Sequence, residues 1–303
     1  MSASRARRRI PTVRVDPRGL GLAELAGRFE EAVASPWYQP PALPDSGLRL
    51  IELSQRSDVA FDDILPMLSQ DEAIAARVLA VAQSARYATR GGIASLSDAL
   101  VRLGIEAVTR IFLEVSMQLR VYAVKGYPME SAQLHRHAIA TAEVAAAMAT
   151  RARVSAGHAF LAGLLHDAGI AACLGLVAPR RPTEKAPDPT EVWPAAVRAH
   201  EKVGERLGEL WKLPAEVAAV LASHHGEDDA GRMPPLCALV ALSEAVVTDA
   251  GVPAPELGAK RAVRRSAASL NLTADDFDRF RAAAHRACEP FLAASAAARA
   301  AVA

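Results

Sequence analysis

Residues 160–176, FLAGLLHDAGIAACLGL, are apolar on nearly every side, and one polar pair, His166-Asp167, interrupts them. No solvent-facing stripe can be drawn on such a segment, so it belongs inside the protein whatever its secondary structure. An ionised aspartate carried inside with it needs a metal, a cation or several hydrogen-bond donors as its partner. The rest of the chain must therefore enclose this segment and deliver that partner.

The enclosing elements are predicted to be helices. In 98–121, Leu100, Gly104, Val108, Ile111, Val115 and Leu119 recur at steps of three or four, with Ser97-Asp98 offering a cap. The segments 19–34, 58–69, 71–85, 131–150, 157–177, 191–211, 215–225 and 234–249 keep the same rhythm, and Pro255–Leu270 and 273–301 predict two more helices. Residues 35–47 contain four prolines and exclude a regular helix, 84–96 breaks at Gly91-Gly92, and 178–190 is a polar, proline-rich loop. Runs of β-branched and aromatic residues that would make strands are absent, with aromatics at only 5%. The fold class is all-α.

Composition narrows the function classes. A net charge of +1 gives no global field for nucleic acid or a membrane surface. Cys173, Cys237 and Cys288 are widely spaced and form no CxxC pair, which excludes a zinc ribbon or disulfide framework and fits a reducing compartment. No uncharged apolar run reaches about 18 residues, and the start MSASRARRRI lacks the apolar stretch of a signal peptide, so a cytoplasmic protein is expected. The near-neutral total hides one asymmetry: six arginines and one acid give residues 1–18 a charge of +5 over a body of −4. Those residues are read as a disordered basic leader, with contact to nucleic acid, anionic lipid or an acidic partner as the alternative.

The histidines fall in phase with the buried faces. His137 borders the stripe Leu134, Ala138, Thr141, Ala145 and Met148, while His135 points roughly the other way. His200 sits in the middle of Trp193, Ala196, Val203, Leu207 and Leu210; Val217, Val220 and Leu221 lead to His224, with His225 next; Glu244 follows Val240 by four. Five stretches thus turn His137, His166 with Asp167, His200, His224 with His225, and Glu244 inward. Each histidine alone reads as a satisfied core residue; together they read as ligands for Fe, Mn, Zn or a similar divalent ion. A two-metal cluster of this kind can deprotonate water and hold a phosphate for in-line attack.

That order of residues resembles the HD phosphohydrolase superfamily, and within it the bacterial HDOD (HD-related output domain) proteins. The likeness continues in 68–113, where Asp71-Glu72, Gln83-Ser84-Ala85, Gly91-Gly92 and Ala99 with Leu103-Gly104 stand in the family's order, and it covers about 43–250. The resemblance implies an HD-like multi-helix bundle (126–250) with an additional amino-terminal helical half (43–125); the residue pattern itself sets a short helix and proline-rich linker before it (19–42) and a carboxy-terminal helical extension after it (251–303). The resemblance also implies a metal set of His137, His166, Asp167, His200, His224, His225 and Glu244 around one or two ions. Departures stand beside it: Ile170 occupies the place of a phosphate-binding lysine, no Gly-Tyr-Pro element follows His225, and Gln83 replaces an asparagine.

Two functions follow. The first is a signalling output module without turnover, acting through protein partners or a bound nucleotide, and the lost lysine favours it. The second is a metal-dependent phosphohydrolase acting on a nucleotide or cyclic dinucleotide, with Asp167 as the catalytic, metal-ligating carboxylate.

Overall fold

The protein is described by a computed structural model that covers residues 13–43, 45–54, 59–84, 87, 92–226, 233–253 and 266–300. Its helices include α1 (Leu22–Ala34), α2 (Asp45–Ser54), α3 (Phe61–Leu68), α4 (Glu72–Ala82), α5 (Leu96–Arg120), α6 (Pro128–Ala152), α7 (Ala156–Leu165), α8 (Ala168–Val177), α9 (Pro189–Leu210), α10 (Ala215–Ser223), α11 (Pro235–Asp249) and α12 (Ala274–Ala300), with 266–269 helical as well. No strand occurs among the described residues, and the all-α class holds.

Two apolar cores share the helices. Leu50, Ile64, Leu68, Ile74, Val78, Leu100, Val108 and Ile111 gather α2–α5 around the smaller one. The larger is built on α6–α11, where α7 packs on α6, α8 and α10 on α9, and α11 on α6. Helix α5 joins the two, giving Val108 and Ile111 to one and Leu113 and Met117 to the other. The expected helix over 157–177 is two helices, because His166 and Asp167 form the turn between α7 and α8. Residues 156–177 are apolar and long enough to cross a membrane by composition, and 94% of their most apolar window is buried within this fold.

The flanks are part of the same body. Leu25, Ala26, Phe29, Ala32 and Val33 bury one face of α1, which lies on α9. The expected leader differs over 13–18: Val15 is buried and donates its N–H to the Leu176 carbonyl at 3.1 Å, and Arg14 pairs with Glu184. Arg5, Arg7, Arg8 and Arg9 lie outside the described residues, as do Gly91, Ala85, most of the predicted helix 255–270 and the segment after His225 where a Gly-Tyr-Pro element was sought. At the other end α12 packs on α6 and α11 through Phe280, Ala283, Ala284 and Cys288.

Candidate metal centre

Helix packing is closest where it matters. A Cβ on Gly169 would stand 2.1 Å from the His200 carbonyl oxygen, and one on Gly163 2.6 Å from the Ala142 Cα. Only glycine lets the first turn of α8 press on α9 and the last turn of α7 press on α6. The His166-Asp167 turn is thereby pinned between the helices that carry His137 and His200.

All seven expected residues meet there. His166 Nε2 is 3.3 Å from Asp167 Oδ2, and Asp167 Oδ1 is 3.8 Å from both His200 Nε2 and His224 Nε2. His225 Nδ1 stands 3.8 Å from Glu244 Oε2. The rings touch in sequence around the cluster: His137 to His166 at 5.3 Å between centroids, His166 to His224 at 5.1 Å, His224 to His200 at 5.1 Å and His224 to His225 at 4.0 Å. Donor atoms of His200, His224 and His225, of His166, Asp167 and His224, and of His137, His166 and Glu244 each lie within 4.8 Å of one another. All but His225 are buried.

The tautomers follow from the partners. Nδ1 of His166, His200 and His224 faces a carbonyl of its own helix (Gly163 at 2.8 Å, Val197 at 2.5 Å, Val220 at 2.9 Å), and Nδ1 of His137 faces the Val252 carbonyl at 3.0 Å. A carbonyl oxygen only accepts, so each Nδ1 carries a proton, and in the neutral ring Nε2 keeps its lone pair. The Nε2 atoms of His166, His200, His224 and His225, with Asp167 Oδ1, are buried without a hydrogen-bond partner. His137 Nε2 has the Thr141 hydroxyl at 3.5 Å. Buried acceptors converging in this way are the arrangement a cation, whether a proton or a metal ion, satisfies and a core of packed neutral histidines does not.

The electrostatics agree. Burial drives His137 and His225 down to about 4 and His224 well below the usual imidazole range, keeping those rings neutral. Burial also opposes charge on His166, but Asp167 and Glu244 outweigh it and lift His166 to about 9. Asp167, against its own burial, is held well below the carboxylate range by His166, His200 and His224. Burial pushes Glu244 up to about 8. A proton on His166 is thus the positive charge this set of acceptors draws in, and a divalent ion competes for the same place.

Several contributors carry no periodic signal. Glu201, directly after His200, accepts the His225 backbone N–H at 2.8 Å and lies 3.8 Å from His224 Nδ1; a carboxylate next to an inward histidine was its only trace. Tyr122 donates its hydroxyl to the Leu164 carbonyl at 2.8 Å, bracing the end of α7. His135 is buried as well, on the far flank of α6, with Nε2 3.1 Å from the Glu114 carbonyl and its ring 5.7 Å from Tyr122. It takes no part in the cluster. Ile170 is fully buried, leaving no charge at that position, and Lys202 pairs with Glu205 on the surface rather than reaching inward.

Known proteins resemble this one as follows. The family model of the HDOD domain matches residues 41–227. A crystal structure of an HDOD domain protein of unknown function from Geobacter sulfurreducens superposes with a TM-score of 0.60 at 23% identity, over 87% of this chain and 97% of that one. A protein of Marinobacter aquaeolei VT8, provisionally described as a signal transduction protein, gives 0.61 at 22% identity over 93% and 68%. One from Shewanella amazonensis SB2B, provisionally described as a metal-dependent phosphohydrolase, gives 0.59 at 17% over 88% and 97%. An uncharacterised protein of Treponema pallidum is 23% identical over 220 residues; this chain spans 42% of its length.

Proposed function

The chain belongs to the HDOD domain family, and on that footing we propose that it is a regulatory signalling module built around a divalent metal, passing its state to a protein partner without turnover of its own. The observation that carries the metal is the group of orphaned acceptors, Nε2 of His166, His200, His224 and His225 with Asp167 Oδ1. Asp167 sits among three imidazoles and would be the central ligand, with His137, His225 and Glu244 completing the set around one or two ions of Fe, Mn or Zn. When bound, such an ion would neutralise the buried carboxylate and tie together α6, the α7–α8 turn, α9, the end of α10 and α11, linking metal content to fold stability. The signalling module corresponds to 43–250, with α1 and α12 as braces.

The absence of turnover rests on what surrounds the cluster. Among its members only His225, and beside it Glu201, reach solvent, and Ile170, at the position where the resemblance implies a phosphate-binding lysine, is buried and carries no charge. The completeness of the donor set supports the second reading, a metal-dependent phosphohydrolase in which the ion would acidify a water.

Elemental analysis of the purified full-length chain, paired with a phosphodiesterase screen in added Mn or Fe, tests both readings. The expected result is bound divalent metal, lost in Asp167→Ala together with a lower melting temperature, and no hydrolysis. Metal-free protein that stays metal-free on reconstitution would sink the cluster's assignment. Hydrolysis abolished by Asp167→Ala would replace the signalling module with the enzyme.

A further inference from the structure

Outside residues 1–18 the chain carries a net charge of −4, yet the charged residues lining one cavity at its surface are all cations. A cavity of about 440 Å³ lies where the end of α5, the α5–α6 connection, α8 and the segment around Tyr38 meet. Arg120, Lys125 and Arg180 line it, and no aspartate or glutamate does. An adjoining cavity of about 690 Å³ shares Ala123, Val124 and Lys125 with the first and adds Arg77 and His135, again with no carboxylate in its lining.

These cations are not spent on acids to the same degree. Arg120 pairs with Asp71. The Arg180 guanidinium donates to the Val13 carbonyl at 2.8 Å, while its backbone N–H goes to Glu184, which also holds Arg14. Lys125 and Arg77 are exposed and pair with no acid among the described residues. Facing the charges, the floor is apolar: Val121, Ala171, Ala172 and Leu176, with Tyr38 and Pro40 at the side. A low-dielectric floor beneath Lys125, which has no acid beside it, with the guanidinium groups of Arg120 and Arg180 at the rim, favours an anion, and the volume is that of a site for a small molecule.

We propose that this cavity binds a small organic phosphate, its phosphoryl group held by Lys125, Arg120 and Arg180 and its apolar or aromatic remainder laid against α8. The proposal does not rest on the metal. It does place the ligand beside the cluster's scaffold, since Ala171, Ala172 and Leu176 belong to the helix that Asp167 caps, and Tyr122, which lines the adjoining cavity, holds the Leu164 carbonyl at the end of α7. A site of this kind gives a signalling module something to sense.

Calorimetric titration of the full chain with adenosine and guanosine 5′-monophosphates, at low ionic strength, decides the matter, with the matching nucleosides, inorganic phosphate and the variants Lys125→Ala, Arg180→Gln and His225→Ala as comparisons. The expected result is saturable binding of at least one nucleotide, weakened roughly tenfold by Lys125→Ala and by added salt, and unchanged by His225→Ala. Lys125 is exposed and without an ion pair, so its replacement leaves the fold intact. Four outcomes would overturn the proposal. They are no saturable binding of either nucleotide, nucleosides or inorganic phosphate binding as tightly, both cation variants binding like the parent, and His225→Ala costing as much as Lys125→Ala.

Discussion

A histidine becomes a ligand or a packing residue according to where its second nitrogen looks. In His166, His200 and His224 the helix supplies the answer locally: a carbonyl three or four residues back accepts the Nδ1–H hydrogen bond, and Nε2 is left aimed inward. His135 shows the opposite case, with Nε2 engaged by the Glu114 carbonyl and the ring turned from the cluster. Gly169 is as necessary as the imidazoles, because nothing larger fits 2.1 Å from the His200 carbonyl oxygen. Gly169→Ala is expected to cost about 3 kcal/mol of unfolding free energy, since the opposing atom is backbone and cannot step aside. Urea denaturation measures it, and an unchanged midpoint would show that α8 and α9 are not locked at this crossing.

Among elements, the informative events are the breaks. The apolar run 157–177 reads as one helix, and the structure divides it at His166-Asp167 so that two consecutive side chains both face the cluster, which neighbours on a continuous helix do not. In α5, Gly104 takes φ 83° and ψ 165°, a kink where the sequence pattern shows an unbroken stripe, and Leu119 at the end of that stripe is exposed. The start of α12 carries a reciprocal cap: the Thr273 N–H donates to Asp276 Oδ2 at 2.9 Å, the Asp276 N–H to Thr273 Oγ1 at 3.3 Å, and Arg151 of α6 donates to Asp276 at 2.6 Å. The Thr273 N–H, then Arg151 and the Thr273 hydroxyl, lower the Asp276 carboxyl from 3.8 to about 2. A carboxyl depressed by folding stabilises above its unfolded pKa, and that contribution disappears as pH falls from about 4 to about 2. Melting temperatures of the parent and Asp276→Asn are therefore expected to differ at neutral pH and to converge across that window. A gap that persists below it would remove the linkage.

At the scale of the molecule, the cluster is held by helices that are themselves held from outside. Helix α1 covers α9, which carries His200, and α12 covers α6 and α11, which carry His137 and Glu244. The His137 Nδ1–H ends on the Val252 carbonyl, just beyond α11, so the carboxy-terminal region touches the site's geometry as well as its stability. Removal of 266–303 exposes the partners of Phe280, Ala284 and Cys288, and the shortened protein is expected to bind a hydrophobic dye and melt lower and less cooperatively. Dye-free protein with an unaltered transition would mean that α12 is an appendage.

The sequence by itself determined the helical class, the buried status of the His166-Asp167 segment and the inward phase of His137, His200, His224 and Glu244. Those are consequences of local periodicity, which fixes the face of a helix on which a side chain lies. It did not determine that residues separated by more than a hundred positions share one centre, where Glu201 and Tyr122 reach, or that residues 13–18 dock beside α8. Nor did it show that Arg120, Lys125 and Arg180 edge one cavity without an acid. Each of these depends on which faces of different helices meet, and that is settled by packing across the whole molecule: glycine-sized gaps such as the one at Gly169, and apolar surfaces that no single segment can bury alone.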